Sequence, residues 1–270
     1  MTYPATLVRR SALALLVAFG SGGCLRSTTV IDLKTDGSGT IVQETAVSAQ
    51  ALGMLQGMAG ATQSGDKPAP LFSEEQARKA AATMGVTFVS GEPFKTGELE
   101  GYRARYAFDN IEKVTVKMDQ GTDDLAPGSG AKKPPFGFTF TRGTTASQLT
   151  IRMPDQTPGA APGGLPLPGA GPGGSDADKA KAAQAMAMMK MMMKGLFVDV
   201  ALNVNGRILK SNAPFVDGSR VTLMQIDFDK LLADEAALLK LQSAKDIKSL
   251  AAVPGLKVVA EPSVTIEFSR

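Results

Sequence analysis

Polar and apolar residues alternate over much of this chain. Ile31 and Leu33 alternate with Asp32 and Lys34, and Asp36-Gly37-Ser38-Gly39 follows before a second run, 40–48. Strand, Asp-Gly turn, strand predicts a β-hairpin. Residues 86–90 and 99–108 read as strands, with Tyr102, Ala104 and Tyr106 on one face and Arg103 and Arg105 on the other. Residues 113–118 predict a further strand. Residues 136–142 and 148–153 predict a second hairpin whose Phe136, Phe138 and Phe140 share a face. Residues 197–204 read as a strand, Asn205-Gly206 as a two-residue turn and 207–210 as its partner. Asp217-Gly218 turns into a strand over 220–226, and 256–260 and 263–268 close the chain as strands.

The period changes between these runs. Ser73 and Gln76 form a capping box for a helix over 74–84, ended by Gly85. Ser175 and Asp178 open a helix to about Lys194, and Asp227 one over 228–243. Shorter helices are expected over 49–58 and 245–252. Residues 57–70, 120–135 and 154–174 are too rich in Gly, Pro and Ala to bury a core and are expected to be disordered. The expectation is one α+β domain over 24–270, with a mainly antiparallel sheet, packed helices and Pro/Gly-rich insertions.

The first 23 residues read as an export signal. Arg9 and Arg10 precede a short apolar run, 11–19, then Gly20-Ser21-Gly22-Gly23 and Cys24. The run is too short to span a bilayer. Small residues ending at a Cys resemble a bacterial lipobox, although Ser21 stands where that signature usually has Leu. The resemblance implies lipidation of Cys24 and a membrane anchor. Leu25, in place of Asp, favours the outer membrane, on the inner leaflet facing the periplasm. Loss of residues 1–23 leaves 27 Lys and Arg against 26 Asp and Glu, a net charge of +1. No basic stripe for nucleic acid follows from this.

Composition excludes much chemistry. The chain has no His and one Cys. That removes His-based nucleophile pairs, His-ligated metals and internal disulfides. Asp36-Gly37-Ser38-Gly39 copies part of a calcium loop, but Lys34 and Thr45 occupy the positions that need acids, so a turn is expected. Asp227 and Asp229 are a close acid pair at a predicted helix start, where capping accounts for them. Met186, Met189 and Met193 share one helical face, flanked by Met188 and Met192. The spacing fits core packing, a flexible apolar binding face or, as soft thioethers, a Cu(I) site. No cofactor and no catalytic residue is expected.

Cys24, the hairpin turn at Asp36-Gly37-Ser38-Gly39, and the segments Val204-Asn205-Gly206 to Ser211-Asn212 and Gly218 to Leu223 together resemble a family of bacterial lipoproteins, distantly LppM-like. The likeness touches both ends of the mature chain. It implies an envelope domain that binds a lipid or a partner, with no catalytic residues to carry over. The expected function is therefore a non-enzymatic cell-envelope lipoprotein that binds a protein partner or hydrophobic ligand. The alternative is a periplasmic Cu(I)-binding protein using the Met-rich helix.

Overall fold

The structure is a computed structural model. It describes residues 25–49, 52, 73–117, 135–154, 194–234, 236–237, 240, 247–251 and 253–269. The elements are β1 (Leu25–Leu33), β2 (Gly39–Ser48), α1 (Glu74–Met84), β3 (Thr87–Thr96), β4 (Leu99–Phe108), β5 (Gly137–Arg142), β6 (Ala146–Arg152), β7 (Phe197–Val204), β8 (Ile208–Ser211), β9 (Val216–Asp217), β10 (Arg220–Asp227), α2 (Phe228–Ala233), α3 (Ile247–Ala251), β11 (Leu256–Val258) and β12 (Ser263–Ser269). A 3-10 turn covers Ile111–Lys113.

Two sheets result. The larger runs β11-β10-β7-β1-β2-β4-β3, with β9 beside β10, and the smaller runs β5-β6-β12-β8. Pairing is antiparallel except that β1 lies parallel to β7. Strands dominate, and three helices complete the described residues. The described residues thus show the mainly antiparallel sheet expected, strand-rich with few helices.

Direct cross-strand partners place one face of the large sheet in order. Leu33, Gly39 and Phe108 form one row, and Ile31, Ile41, Tyr106 and Phe88 the next. Further along come Thr29, Gln43, Ala104 and Gly91, then Ser27, Thr45, Tyr102 and Pro93, then Leu25, Val47, Glu100 and Lys95. The face therefore changes from aliphatic and aromatic at the β1–β2 turn to polar at the other end. The small sheet packs at the turn. Ser147 Oγ donates to the Thr35 carbonyl at 2.9 Å, and a Cβ on Gly37 would come within 2.8 Å of the Phe140 ring. Leu149, Ile151, Ile266 and Phe268 are fully buried beside Ile31, Leu33 and Ile41 in one core.

Local chemistry explains the elements that match expectation. The Ser73 hydroxyl accepts from the Gln76 N–H at 3.2 Å, and Gly85 closes α1 at φ 71°. Lys34 N–H donates to the Ser38 carbonyl at 2.8 Å around Gly37, at φ 89°. Phe136 and Phe138 are buried and Phe140 packs against the same core.

Four expectations need correction. Of the strand expected over 113–118, the described residues 113–117 form no strand. Asn110 caps the 3-10 turn by accepting from Glu112 N–H at 2.9 Å. Val114 and Val116 are then buried by an extended segment with isolated backbone bonds: Thr115 N–H to Met84 carbonyl, and Phe136 N–H to Val116 carbonyl. Asn205-Gly206 does not make a hairpin. Both edges of β7 are already taken by β1 and β10, and neither turn residue has the positive φ that a type I′ turn needs. The chain instead changes sheets there, and β8 pairs with β12. The helix expected over 228–243 is interrupted at Asp234, which adopts extended dihedrals and whose carboxylate accepts from Ala236 N–H at 2.8 Å; Ala236, Ala237 and Lys240 are helical again. Finally β3 runs on past residue 90 to Thr96, with Pro93 tolerated because β3 is an edge strand.

Of the helix expected over 49–58, Ala49 and Leu52 are described, both helical. The helix expected over 175–194 and the three loop segments lie almost wholly outside the described residues, as does the export signal.

Candidate functional site

The strand end opposite the β1–β2 turn carries a cleft of about 480 Å³. Val47 from β2, Leu52, Pro93, Phe94 and Lys95 from β3, and Glu100 and Gly101 from β4 line it. Register explains the grouping. Val47 pairs with Glu100, Glu100 with Lys95, and Gly101 with Phe94. Val47, Glu100 and Lys95 lie on one face of the sheet and Gly101 and Phe94 on the other, so the cleft lies across the strand ends.

Close packing fixes its floor. A Cβ on Gly101 would meet the Thr45 carbonyl at 2.3 Å and Ala46 Cβ at 2.6 Å, so no larger residue fits between β4 and β2 there. Lys95 Nζ and Glu100 Oε1 pair at 2.6 Å on the rim, both well exposed. Such a pair contributes at most about 1 kcal/mol, so it orients the rim more than it holds the fold. The Arg103 guanidinium lies 5.5 Å from the Phe94 ring centre and bonds Glu44 at 2.6 Å and Glu92 at 3.1 Å. This holds Phe94 at the edge of the cleft. The walls are apolar and the two charged lining groups neutralise one another. The cleft is open rather than enclosed, and its chemistry suits an apolar chain or side chain lying along it.

Above the cleft on the β4 face, burial raises the Tyr102 hydroxyl pKa. Burial also pushes Tyr106 up to about 12, with Tyr102 adding to it. Both stay protonated; Tyr106 donates to Gln43 Oε1 at 3.4 Å.

A second polar constellation sits on the opposite face. Asp199, near the start of β7, is 5% exposed. Its Oδ2 bonds Arg220 at 2.5 Å, while Oδ1 is buried with no hydrogen-bond partner. Burial raises the Asp199 pKa above the usual carboxylate range, against the opposing charges of Arg220, Lys257 and Arg26. A lone acid within the apolar run 197–204 was the sequence signal for this group. The cleft had a fainter one: the strand read over 86–90 continues through Pro93 and Phe94 to Thr96.

The expected site residues fall as follows. Cys24, Met186, Met189 and Met193 lie outside the described residues. Leu25, the residue after Cys24, is already the first residue of β1. Asp36 accepts from Ser38 N–H at 3.0 Å and Ser38 Oγ at 2.7 Å, so the turn reading of that motif is the observed one. Those hydrogen bonds lower the Asp36 pKa. Asp227 caps α2 through the Lys230 N–H at 3.2 Å, and Asp229 accepts from Gly195 N–H at 2.6 Å. Both acids are thus structural. Among the described residues no group of three or more His, Cys, Asp or Glu gathers to hold a metal. No described helix is long and apolar enough to cross a membrane.

No family model and no curated protein matches the chain. Among solved structures, the chain is similar to the NMR structure of the folded domain of the Mycobacterium tuberculosis LppM protein. That match spans 92% of this chain and 91% of that one at 9% identity, with a TM-score of 0.34. A likeness so distant carries over no residue roles.

Proposed function

We propose that this protein is a non-enzymatic cell-envelope lipoprotein, anchored through Cys24, whose folded domain binds a hydrophobic ligand or an apolar segment of a protein partner. The observation that carries the reading is the export signal: a basic start, a short apolar run and small residues ending at Cys24. Leu25 after the cysteine favours the outer membrane, inner leaflet, facing the periplasm. The cleft supports the binding half. Val47, Leu52, Pro93 and Phe94 give it apolar walls, and the Lys95–Glu100 pair marks its rim.

Intact mass of the mature chain tests the anchor; an unmodified start at another residue contradicts it. A photo-crosslinking residue in place of Phe94, with one in place of Lys34 as control, tests the cleft in the native envelope. Capture from position 94 alone is expected. Equal capture from both positions, or none, contradicts a binding role for the cleft.

A further inference from the structure

The anchor and the cleft are at the same end of the molecule. Leu25 is the first residue of β1, and Cys24 is joined to it by one peptide bond, a Cα–Cα step of about 3.8 Å. No tether separates a lipid on Cys24 from the sheet. β1 is an interior strand, flanked by β7 and β2, so the anchor leaves from the middle of the large sheet. At that end Leu25 pairs with Val47, Val47 with Glu100, and Glu100 with Lys95. At the usual strand spacing Lys95 is about 14 Å from Leu25. The β1–β2 turn lies at the far end of β1, about 26 Å away along a strand of nine residues.

The anchor end is suited to a lipid surface. Leu25, Phe94, Leu99 and Phe197 are half-buried there instead of sealed in the core. The exposed Arg26 guanidinium lies 4.8 Å over the Phe197 ring, an apolar body with a cationic tip. Gly97 and Glu98 form the protruding β3–β4 turn, with Gly97 at φ 59° and nothing within 4 Å of its Cβ position. The far end differs: its turn is tied to the small sheet through Thr35, Gly37 and Phe140.

We propose that the strand end bearing the cleft and the β3–β4 turn is a membrane-contacting surface, held flat against a phospholipid bilayer by the anchor on Cys24. This rests on the lipoprotein reading above. The cleft then opens toward the bilayer, and the small sheet points away from it. An apolar chain passing between bilayer and cleft need not cross open water.

The test uses the full lipoprotein, purified with its lipid and reconstituted into phosphatidylethanolamine–phosphatidylglycerol vesicles that carry a nitroxide-labelled phospholipid quencher. Cys24 is the sole Cys of the chain, so once its thiol carries lipid an introduced Cys takes a bimane label alone. Glu98→Cys and Lys34→Cys place that label at opposite ends on exposed side chains. The Glu98→Cys label is expected to lose most of its fluorescence to the quencher while the Lys34→Cys label keeps its own. Quenching of both alike, of neither, or of the Lys34→Cys label alone overturns the orientation. Intact mass separates the two failures. Lipidated protein with the wrong quenching pattern defeats this orientation only; protein without lipid on Cys24 defeats the lipoprotein reading and the orientation with it.

Discussion

The two ends of the large sheet are built differently. Near the β1–β2 turn, Leu33, Phe108, Ile31 and Ile41 are buried in one core with Leu149, Ile151, Ile266 and Phe268 of the small sheet. At the other end the same strands carry Ser27, Thr29, Gln43 and Thr45 on that face, all buried, and end in a cleft edged by an exposed ion pair. Both ends share one hydrogen-bonded ladder, so backbone pairing does not distinguish them. Side chains do. Aliphatic and aromatic rows fill the first end, while buried hydroxyl and amide groups stand between them and the exposed rim at the second. The apolar end secures the fold, and only the exposed rim beyond the polar rows is left to be shaped by contact.

Substitutions should separate the ends by size of effect. Gly39→Val is expected to be the most damaging. Its Cβ would fall 2.1 Å from the Asp32 carbonyl and 2.5 Å from the Phe108 ring, and β1 and β2 cannot move apart without breaking the ladder. The loss should exceed about 4 kcal/mol, enough to abolish a cooperative thermal transition. Phe268→Ala, which empties a fully buried site under the small sheet, should cost about 3–5 kcal/mol by denaturant unfolding. Ser73→Ala removes the α1 cap and should cost about 1 kcal/mol. Lys95→Ala on the cleft rim should change stability by less than about 1 kcal/mol. If Lys95→Ala proves as damaging as Phe268→Ala, the open end is part of the core and the contrast fails.

Asp199 gives the contrast a pH dependence. Its carboxyl is held above the ordinary value by burial. As pH falls into the window above about 3.9, the folded chain takes up this proton before the unfolded chain does. Stability from this group therefore rises as pH falls, and is lost again as pH rises through the folded pKa. Asp199→Asn cannot titrate, so the stability of the native protein relative to that variant should grow toward acid pH. A difference that shrinks on acidification would mean that Arg220 outweighs burial.

Much of the fold was legible from short-range pattern. Alternation, the Asp-Gly turns at residues 36–37 and 217–218, and the Ser73 cap each encode a local geometry that the structure keeps. What was not legible depended on partners distant in sequence. Asn205-Gly206 has the letters of a hairpin turn, yet the edge of β7 it would have used belongs to β1, more than 160 residues earlier. Val114 and Val116 alternate like a strand because they are buried, although no ladder forms there. Asp234 interrupts a helix because its carboxylate accepts from the Ala236 N–H two residues on, a competition that apolar periodicity does not record. The cleft escaped the sequence reading for a related reason. Val47, Pro93 and Glu100 are unremarkable singly and become a site only when register sets them side by side.

The anchor end's exposure to a bilayer is the central claim, and hydrogen exchange tests it most directly. The lipoprotein on vesicles would be compared with the same protein after proteolytic release from its lipid. The account predicts that amides of residues 95–100 exchange more slowly on the vesicle, while those of 34–39 are unchanged. Protection of 34–39 with no change at 95–100 would contradict it.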